Sequence, residues 1–514
     1  MEKRLPPWSH GDESYQESFG TNKHLWGKTP AMDLLQLHRN EGVNYGNDIT
    51  VLFATSGDLR NVVKTIQSLP DEFNHALTVT INDREPSTTA RNAILLLLIL
   101  STLDLQEAIQ INIEPLVDAL IHVWYSAMIT GDILSRLQSK VKPLIEEACQ
   151  LTADRDPDDI VGKRWVFSMG ATLCLNLRKA EWAHVLSLLD IPEHLTAESA
   201  RRIRHATVLA PERADYRDRW YFKDATPSMR IAKERFREDG LVLPFGHPRH
   251  GFNIPNPTIY QAAESWPLTD QADPLAGWID SEVRAAPWKA SADLYGKLYI
   301  YLRGVLSAFI RKISTGKVHF QLFNVPGKDL EPCMTPSTCD RIETFPFSVP
   351  PRAVHLTLRR LSNLLKSRQQ NPHATIVVMH PEMQRQIPPL VNQITSRRNE
   401  AITIFITSCH GADAYRLGDA KGLLRVNVDT LFKLFRGHDI FEPIRWDLNL
   451  AIKNENTIRD PWPTQLKLSR NSPGARVEYA YALASPFDGL LRCVEWKRVH
   501  PFPGFRQFLR EAPT

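Results

Sequence analysis

The chain has no paired cysteine motif and no long apolar segment. Its six cysteines are scattered over 514 residues, without a Cys-x-x-Cys pair or histidines at metal-ligand spacing. A metal site is therefore not predicted, and scattered thiols are typical of a reducing compartment. Residues 1–22 lack the apolar stretch of a signal peptide, and the longest apolar run, residues 93–100, is far shorter than the roughly 20 residues of a membrane span. We therefore expect a cytoplasmic protein, with the nucleus as the alternative, and no membrane contact.

The charge of the chain has no dominant sign. It carries 62 basic and 58 acidic residues, a formal net charge of +4, and 43% of its residues are hydrophobic. This balance is ordinary for a globular protein with a mixed surface and does not predict a nucleic-acid partner. The basic cluster Arg201, Arg202, Arg204 and His205 falls on a predicted helix, where a solvated face is favoured over a nucleic-acid footprint.

Motifs of common catalytic sites are also missing. The sequence has no Walker-type phosphate loop and no Gly-x-Ser-x-Gly nucleophile elbow. Cys409, His410 and Asp413 are close in sequence, but neighbours at a strand end seldom point at one centre. Nucleophilic groups are normally brought together from distant segments by folding. We therefore predict no catalytic residue.

The most informative stretch that is present is residues 48–61. A short apolar, β-rich run at 49–54 is followed by Ser56-Gly57-Asp58, which predicts a tight turn, and then by apolar residues at helical spacing. In an open α/β sheet such a turn lies at the carboxyl end of a strand, where backbone N–H groups face a ligand crevice. The stretch therefore predicts a strand, a turn and a helix at a place suited to a nucleotide-like ligand.

Hydrophobic periodicity predicts an α/β protein with a large, mainly helical insertion whose centre, residues 211–287, is rich in loops. Besides the first unit, strands are predicted at 77–81, 318–323, 340–345, 374–379 and 401–407, with a hairpin at 477–496, and helices after Ser87 and at 113–128, 132–150, 158–190, 194–209, 292–313 and 352–366. The predicted regions are a flexible leader at 1–23, the halves of one domain at 24–105 and 314–410, the insertion at 106–313, and a C-terminal region at 411–514 that completes or covers the sheet.

This alternation resembles the Rossmann-like sheet of class I S-adenosylmethionine-dependent methyltransferases. The first motif of that fold is an acidic residue at the end of a strand, followed by three glycines at alternate positions. Here the acidic position falls on Phe53 and the glycine positions on Thr55, Gly57 and Leu59. Only Gly57 is retained, and a side chain at either of the other two positions would occupy space that a cofactor needs.

Two acidic residues are candidates for the remaining cofactor contacts. The resemblance implies that Gly57 and Asp58 would line the methionine side of S-adenosylmethionine and that Asp83, after the second strand, would hold the ribose. The alternative for Asp58 is capping of free N–H groups at the start of a helix, and the alternative for Asp83 is a turn or cap role. The sequence leaves both readings open.

A second set of motifs runs through most of the chain. It comprises Trp26-Gly27, Pro30-Ala31-Met32-Asp33, residues 53–61, Ile81-Asn82-Asp83 and Ala90-Arg91-Asn92, and downstream Leu243-Pro244-Phe245-Gly246, residues 254–258, residues 266–278 and Cys339-Asp340-Arg341-Ile342-Glu343. These motifs resemble the domain of unknown function 4470 family, which is abundant in fungi. The same kind of N-terminal domain opens the axonemal dynein preassembly factors. The zinc-binding MYND finger of many fungal relatives is excluded by the cysteine spacing, and Thr344-Phe345 stands where relatives tend to have Ser-Asn.

These features favour a non-catalytic, methyltransferase-like interaction or assembly module with an unidentified protein partner and without a cofactor. The alternative is an active S-adenosylmethionine-dependent methyltransferase with a degenerate cofactor loop, which would bind S-adenosylmethionine at Gly57, Asp58 and Asp83. The two readings differ in whether the crevice after the first strand takes that cofactor.

Overall fold

The computed structural model describes residues 18–104, 112–222, 225–345, 351–380, 447–459 and 492–499, together with residues 444, 468 and 472–475. The predicted strand at 401–407, the group around Cys409 and most of the predicted hairpin at 477–496 lie outside the described residues. Those predictions therefore stay untested.

The described residues form α-helices and β-strands in a mixed order. The helices are α1 (Arg60–Gln67), α2 (Pro86–Asp104), α3 (Glu114–Tyr125), α4 (Gly131–Arg136), α5 (Lys142–Leu151), α6 (Lys179–Ser187), α7 (Ala197–Val208), α8 (Ala214–Tyr216), α9 (Pro227–Asp239), α10 (Asp280–Ala285), α11 (Leu294–Ile313) and α12 (Pro351–Leu364). The strands are β1 (Ile49–Phe53), β2 (Leu77–Asn82), β3 (Met128–Ile129), β4 (Ile160–Val166), β5 (Thr172–Arg178), β6 (Ile254–Pro255), β7 (Val318–Phe323), β8 (Arg341–Thr344), β9 (Thr375–His380), β10 (Leu450–Ile452) and β11 (Arg492–Arg498).

One large sheet organises the described part of the chain. Its strand order is β10-β11-β9-β8-β1-β2-β7-β5-β4, and the six strands from β9 to β5 are parallel. Strands β11, β10 and β4 run antiparallel to their neighbours at the two sides. The chain adds β2 and β7 on one side of β1 and then returns to add β8 and β9 on the other. The predicted α/β class is confirmed, and the reversal creates a switch point between β1 and β8.

The sequence of α2 explains why the middle of the sheet is so well covered. The helix is apolar around its whole circumference, and its leucines and isoleucines are buried. It is long and apolar enough to pass as a membrane span, but 89% of its most apolar window is buried inside the protein. It therefore acts as a core helix, as the sequence predicted.

The predicted helix at 158–190 is wrong over its first two thirds. Residues 160–178 form the antiparallel hairpin β4–β5, which extends the main sheet through β5 and β7, and helix begins only at Lys179. The strand pattern in β4 is weak because Lys163 takes an inward position between Val161 and Trp165, where Glu147 pairs with it at 2.6 Å. The insertion is therefore mixed rather than purely helical.

The loop-rich centre of the insertion packs on the end of α3. Asn256 donates to the carbonyl oxygens of His122, Val123 and Ser126, at 3.1, 3.0 and 2.8 Å. These bonds satisfy carbonyls that a helix end leaves without partners. The loop thus covers this end of the domain, and the short pair β3–β6 joins it to the chain just after α3.

Helix α12 follows its predicted pattern. Val354, Leu358, Leu361 and Leu365 are buried along one face, whereas Arg359 is exposed. Burying this face against the sheet places Thr357, Arg360 and Leu361 at the switch point.

Candidate functional site

A cavity of about 260 Å³ opens at the carboxyl ends of the parallel strands. Its walls include Ala54 and Thr55 after β1, Asp83 after β2, Lys328 after β7 and Arg360 on α12. This is the switch point of the sheet, the place where ligands bind in open α/β proteins. We take this cavity, called the switch-point cavity below, as the candidate site.

The turn after β1 is held by the end of β2. Gly57 has a φ of 58°, in the left-handed region that favours glycine. Its N–H donates to Asp83 Oδ2 at 2.9 Å, and its carbonyl oxygen accepts from Asn92 Nδ2 at 2.8 Å. Two of the three predicted site residues, Gly57 and Asp83, are therefore in direct contact, although only Asp83 lines the cavity.

Both carboxylate oxygens of Asp83 already accept backbone hydrogen bonds. Oδ2 accepts from Gly57 and Oδ1 from the Glu85 N–H at 2.9 Å. Burial raises the pKa of the Asp83 carboxyl, and these two backbone hydrogen bonds oppose the rise. Asp83 thus closes the turn while one side of it borders the cavity.

Asp58 turns away from the cavity and joins the N-terminal segment to α1. Its carboxylate accepts from the Gly27 N–H at 2.8 Å and pairs with Arg60 at 2.6 Å. Arg60 in turn donates to the carbonyl oxygen and the hydroxyl of Thr29, both at 2.7 Å. A Cβ at Gly27 would lie about 2 Å from the Arg60 guanidinium, so this close approach requires glycine.

The capping role considered for Asp58 is observed in part. The residue before α1 is Leu59, which makes no side-chain cap, and Asp58 accepts a hydrogen bond from one free N–H at the start of the helix, that of Arg60, at 3.3 Å. Its shorter contacts are with the Arg60 guanidinium and the Gly27 N–H. A charge-assisted hydrogen bond is stronger than a neutral one, so the pair with Arg60 is the main interaction of this carboxylate.

Thr55 and Leu59, which stand where the methyltransferase motif has glycines, differ in their surroundings. Thr55 lines the cavity, and its Oγ1 accepts from the Phe345 N–H at 2.5 Å, which ties the end of β1 to the end of β8. Leu59 is 1% exposed and packs in the main core. The threonine therefore bridges the two strand ends at the wall of the cavity, whereas the leucine is not among the residues that line it.

Two asparagines that the sequence analysis did not single out organise the floor of the site. Asn82 donates to the carbonyl oxygens of Ala54 and Val325, each at 3.1 Å, and accepts from the Val325 N–H at the same distance. Asn324 donates to the Asp83 carbonyl oxygen at 2.7 Å. Each amide stands at the carboxyl end of one of two neighbouring strands, Asn82 as the last residue of β2 and Asn324 directly after β7, and this placement is the signal that could have identified them.

Glu343 is a buried carboxyl beside the site. It is 4% exposed, and within the described part of the chain its Oε2 has no hydrogen-bond partner. Burial raises the pKa of Glu343 to about 7, although the charges of Arg60 and Arg459 oppose the rise. Sequence analysis placed Glu343 only in a family motif, because its environment depends on residues far away in the chain.

The basic cluster on α7 has a structural role in part. Arg204 is buried and donates to the carbonyl oxygens of Phe236 and Arg237, and His205 contacts the Glu238 carbonyl oxygen at 2.6 Å. These contacts satisfy the carbonyl end of α9. Arg201 and Arg202 remain on the outer side of the helix.

Comparison with known proteins identifies one domain. Residues 25–129 match the model of a family described as a domain of unknown function, DUF4470. No curated protein and no solved structure matches the chain. The matched region contains the turn after β1, Asp83 and the core helix α2. The fungal origin and the relation to dynein preassembly factors stay predictions, whereas the match over residues 25–129 confirms the predicted resemblance of this part of the chain to the DUF4470 family.

Proposed function

We propose that this chain is a non-catalytic interaction or assembly module built on a methyltransferase-type sheet. A parallel sheet that reverses its order beside β1 and continues into an antiparallel strand supports that fold type. The motifs shared with the DUF4470 family support a relation to proteins that assist assembly. The partner is a protein of unidentified kind.

The observation that carries the proposal is the state of the turn after β1. Thr55 bonds the end of β8, Gly57 bonds Asp83, and Asp58 bonds Gly27 and Arg60. Each polar group that the cofactor reading assigns to a ligand is thus engaged by the protein itself. Freeing Asp58 would leave buried polar groups without partners, at a cost of about 1–3 kcal/mol for each.

The alternative function is that of an S-adenosylmethionine-dependent methyltransferase, and one observation favours it. The switch-point cavity persists beside Asp83 even with threonine at position 55. In this reading Asp83 would contact the ribose through the side that borders the cavity. Asp58 offers no support, because its carboxylate lies in the contact with Arg60.

Calorimetric titration of the full chain with S-adenosylmethionine and S-adenosylhomocysteine separates the two functions. The module proposal expects no saturation up to millimolar ligand. Saturable micromolar binding that is lost in Asp83→Ala would overturn it and favour the enzyme. Asp71→Ala is the matched control, because Asp71 is an exposed carboxylate at the opposite end of the sheet. Circular dichroism of each variant verifies that it is folded.

Affinity purification from native cells tests the interaction part of the proposal. A module should return the same protein partner in independent preparations and at moderate salt. Failure to recover any reproducible partner would contradict the assembly function, whatever the calorimetry finds.

A further inference from the structure

The switch-point cavity carries an excess of positive charge. Arg84, Lys328 and Arg360 contribute to its walls, and Asp83 is the one carboxylate among its lining residues. Within the described part of the chain, neither Lys328 nor Arg360 has an acidic partner. By contrast, Lys366 just after α12 is paired with Asp340 at 2.7 Å. Unpaired cations that converge on one concave site are a means of attracting an anion.

The polar groups between these cations are suited to phosphate oxygens. The Thr55 Oγ1 accepts from a backbone N–H, so its own hydroxyl hydrogen is available to a second acceptor at the cavity wall. Thr357 adds another hydroxyl from α12. A Cβ at Gly327 would meet no atom within 4 Å, so the backbone beside Lys328 is accessible from the cavity. Arginine and lysine bind phosphate through charge-assisted hydrogen bonds, and arginine can do so with two parallel bonds.

The remaining wall is apolar and is lined by Phe345, Leu361 and Pro326. Apolar walls of this kind bury the flat, weakly polar part of a ligand such as a nucleobase. The volume of about 260 Å³ lies just below the range of about 300–1,000 Å³ for drug-sized ligands, so the site has room for one nucleotide or less and not for a dinucleotide.

We propose that the switch-point cavity binds a nucleoside monophosphate, with the phosphate on Lys328 and Arg360 and the base against the apolar wall. This goes beyond the proposed function, because a non-catalytic module can hold a nucleotide as a structural or regulatory ligand. The chemistry common to all candidate ligands is a phosphate group, which distinguishes them from S-adenosylmethionine.

Calorimetric titration of the full chain with adenosine monophosphate, inorganic phosphate and adenosine tests the proposal at low ionic strength. We expect saturable binding of the monophosphate, at least tenfold tighter than that of either fragment. The affinity should fall at least tenfold in the double variant Lys328→Gln, Arg360→Gln. Arg359→Gln is the matched control, because Arg359 is exposed on the same helix and does not line the cavity.

Three outcomes would overturn the proposal. If adenosine bound as tightly as the monophosphate, or if the double variant bound normally, the cations would have no role in recognition. If inorganic phosphate bound as tightly as the monophosphate, the ligand would be a bare phosphate and the nucleoside assignment would be wrong. None of these outcomes bears on the module proposal, which depends on S-adenosylmethionine and on a protein partner.

Discussion

One face of the large sheet has an apolar half and a charged half, which meet at β1. On the β2 side, Val79, Ile81 and Phe320 lie in the core beneath α2. On the β8 side, Arg341 and Glu343 occupy the equivalent inward positions, and both are buried. The β2 half of this face is thus apolar, whereas the β8 half combines buried charges with apolar residues such as Val377.

The difference follows from what covers each half. An α-helix satisfies its own backbone hydrogen bonds, so α2 can present a purely apolar surface. The β8 half is covered by irregular segments whose backbone groups need partners from side chains. Arg341 donates to the Leu35 carbonyl oxygen, and Glu495 on β11 accepts from the N–H groups of Ile458 and Arg459 at 2.8 and 3.0 Å. The buried charged side chains therefore supply the hydrogen bonds that the backbone of these irregular segments needs.

The largest expected effect comes from breaking the charged half at Arg341. This side chain is fully buried and pairs with Glu41 at 2.7 Å. Burial opposes ionisation of Glu41, but the charge and hydrogen bond of Arg341 outweigh it and lower the pKa of that carboxyl. Arg341→Met should destabilise the protein by about 3–5 kcal/mol because it leaves a buried carboxylate without its partner. Urea unfolding of the variant and of the wild type measures the loss of stability.

The control for Arg341→Met is Arg359→Met, because Arg359 is exposed. Equal urea midpoints for the two variants would contradict the prediction.

The second prediction concerns the apolar half, where shortening a buried side chain should lower the stability of the protein. Leu97 on α2 is fully buried, and Leu97→Ala should cost about 2–5 kcal/mol through lost burial and a residual cavity. The loss should be the same at pH 5 and pH 8, because no titrating group is involved. Leu356→Ala, at a position that is 42% exposed, provides the comparison and should cost far less. A strongly pH-dependent loss at Leu97 would mean that the two halves are not separable.

The next effect is a pH dependence at Glu343. The pKa of this carboxyl rises from 4.5 to about 7 on folding, because burial penalises its charged form. The folded state therefore holds a proton that the unfolded state releases, so the stability falls as the pH rises from about 4.5 to 7. Glu343→Gln should remove this loss and be more stable than the wild type above pH 8, by on the order of 3 kcal/mol, with little difference at pH 4.

Unfolding free energies of both proteins across this pH range measure the effect of Glu343→Gln. Parallel curves would show that Glu343 does not change its protonation on folding. Glu331→Gln is the control, because Glu331 is not among the buried charged residues of this half.

The smallest expected effect concerns the boundary between the halves at the switch point. Thr55→Val removes the acceptor of the Phe345 N–H and should cost about 1 kcal/mol. Thr357→Val, on the other wall of the cavity, removes a hydroxyl without a hydrogen bond to the described residues and should be near neutral. Thermal unfolding of both variants compares them directly. If Thr357→Val lowered the stability as much as Thr55→Val, the hydrogen bond between Thr55 and the Phe345 N–H would not contribute to stability.

Local patterns were enough to predict α12 and five of the six parallel strands, whereas β5 fell inside a segment that was predicted as helix. The β-branched run of β2 and the four-residue spacing of Val354 and Leu358 each carry their structure in neighbouring residues. The pattern failed for β4 because Lys163 interrupts the alternation, and its partner Glu147 comes from an earlier helix. A segment whose inward residue is neutralised from elsewhere cannot be recognised from its own sequence.

The sequence by itself determined the α/β class, the turn at Gly57 and the DUF4470 domain, because these depend on residues that are close in the chain. Tertiary structure decided the use of each acidic residue: Asp58 pairs with Arg60 and binds Gly27, Asp83 closes the turn, and Glu343 is left buried beside the site. A carboxylate can cap a helix, hold a loop or bind a ligand. The choice depends on the donors and the burial that distant segments bring to it.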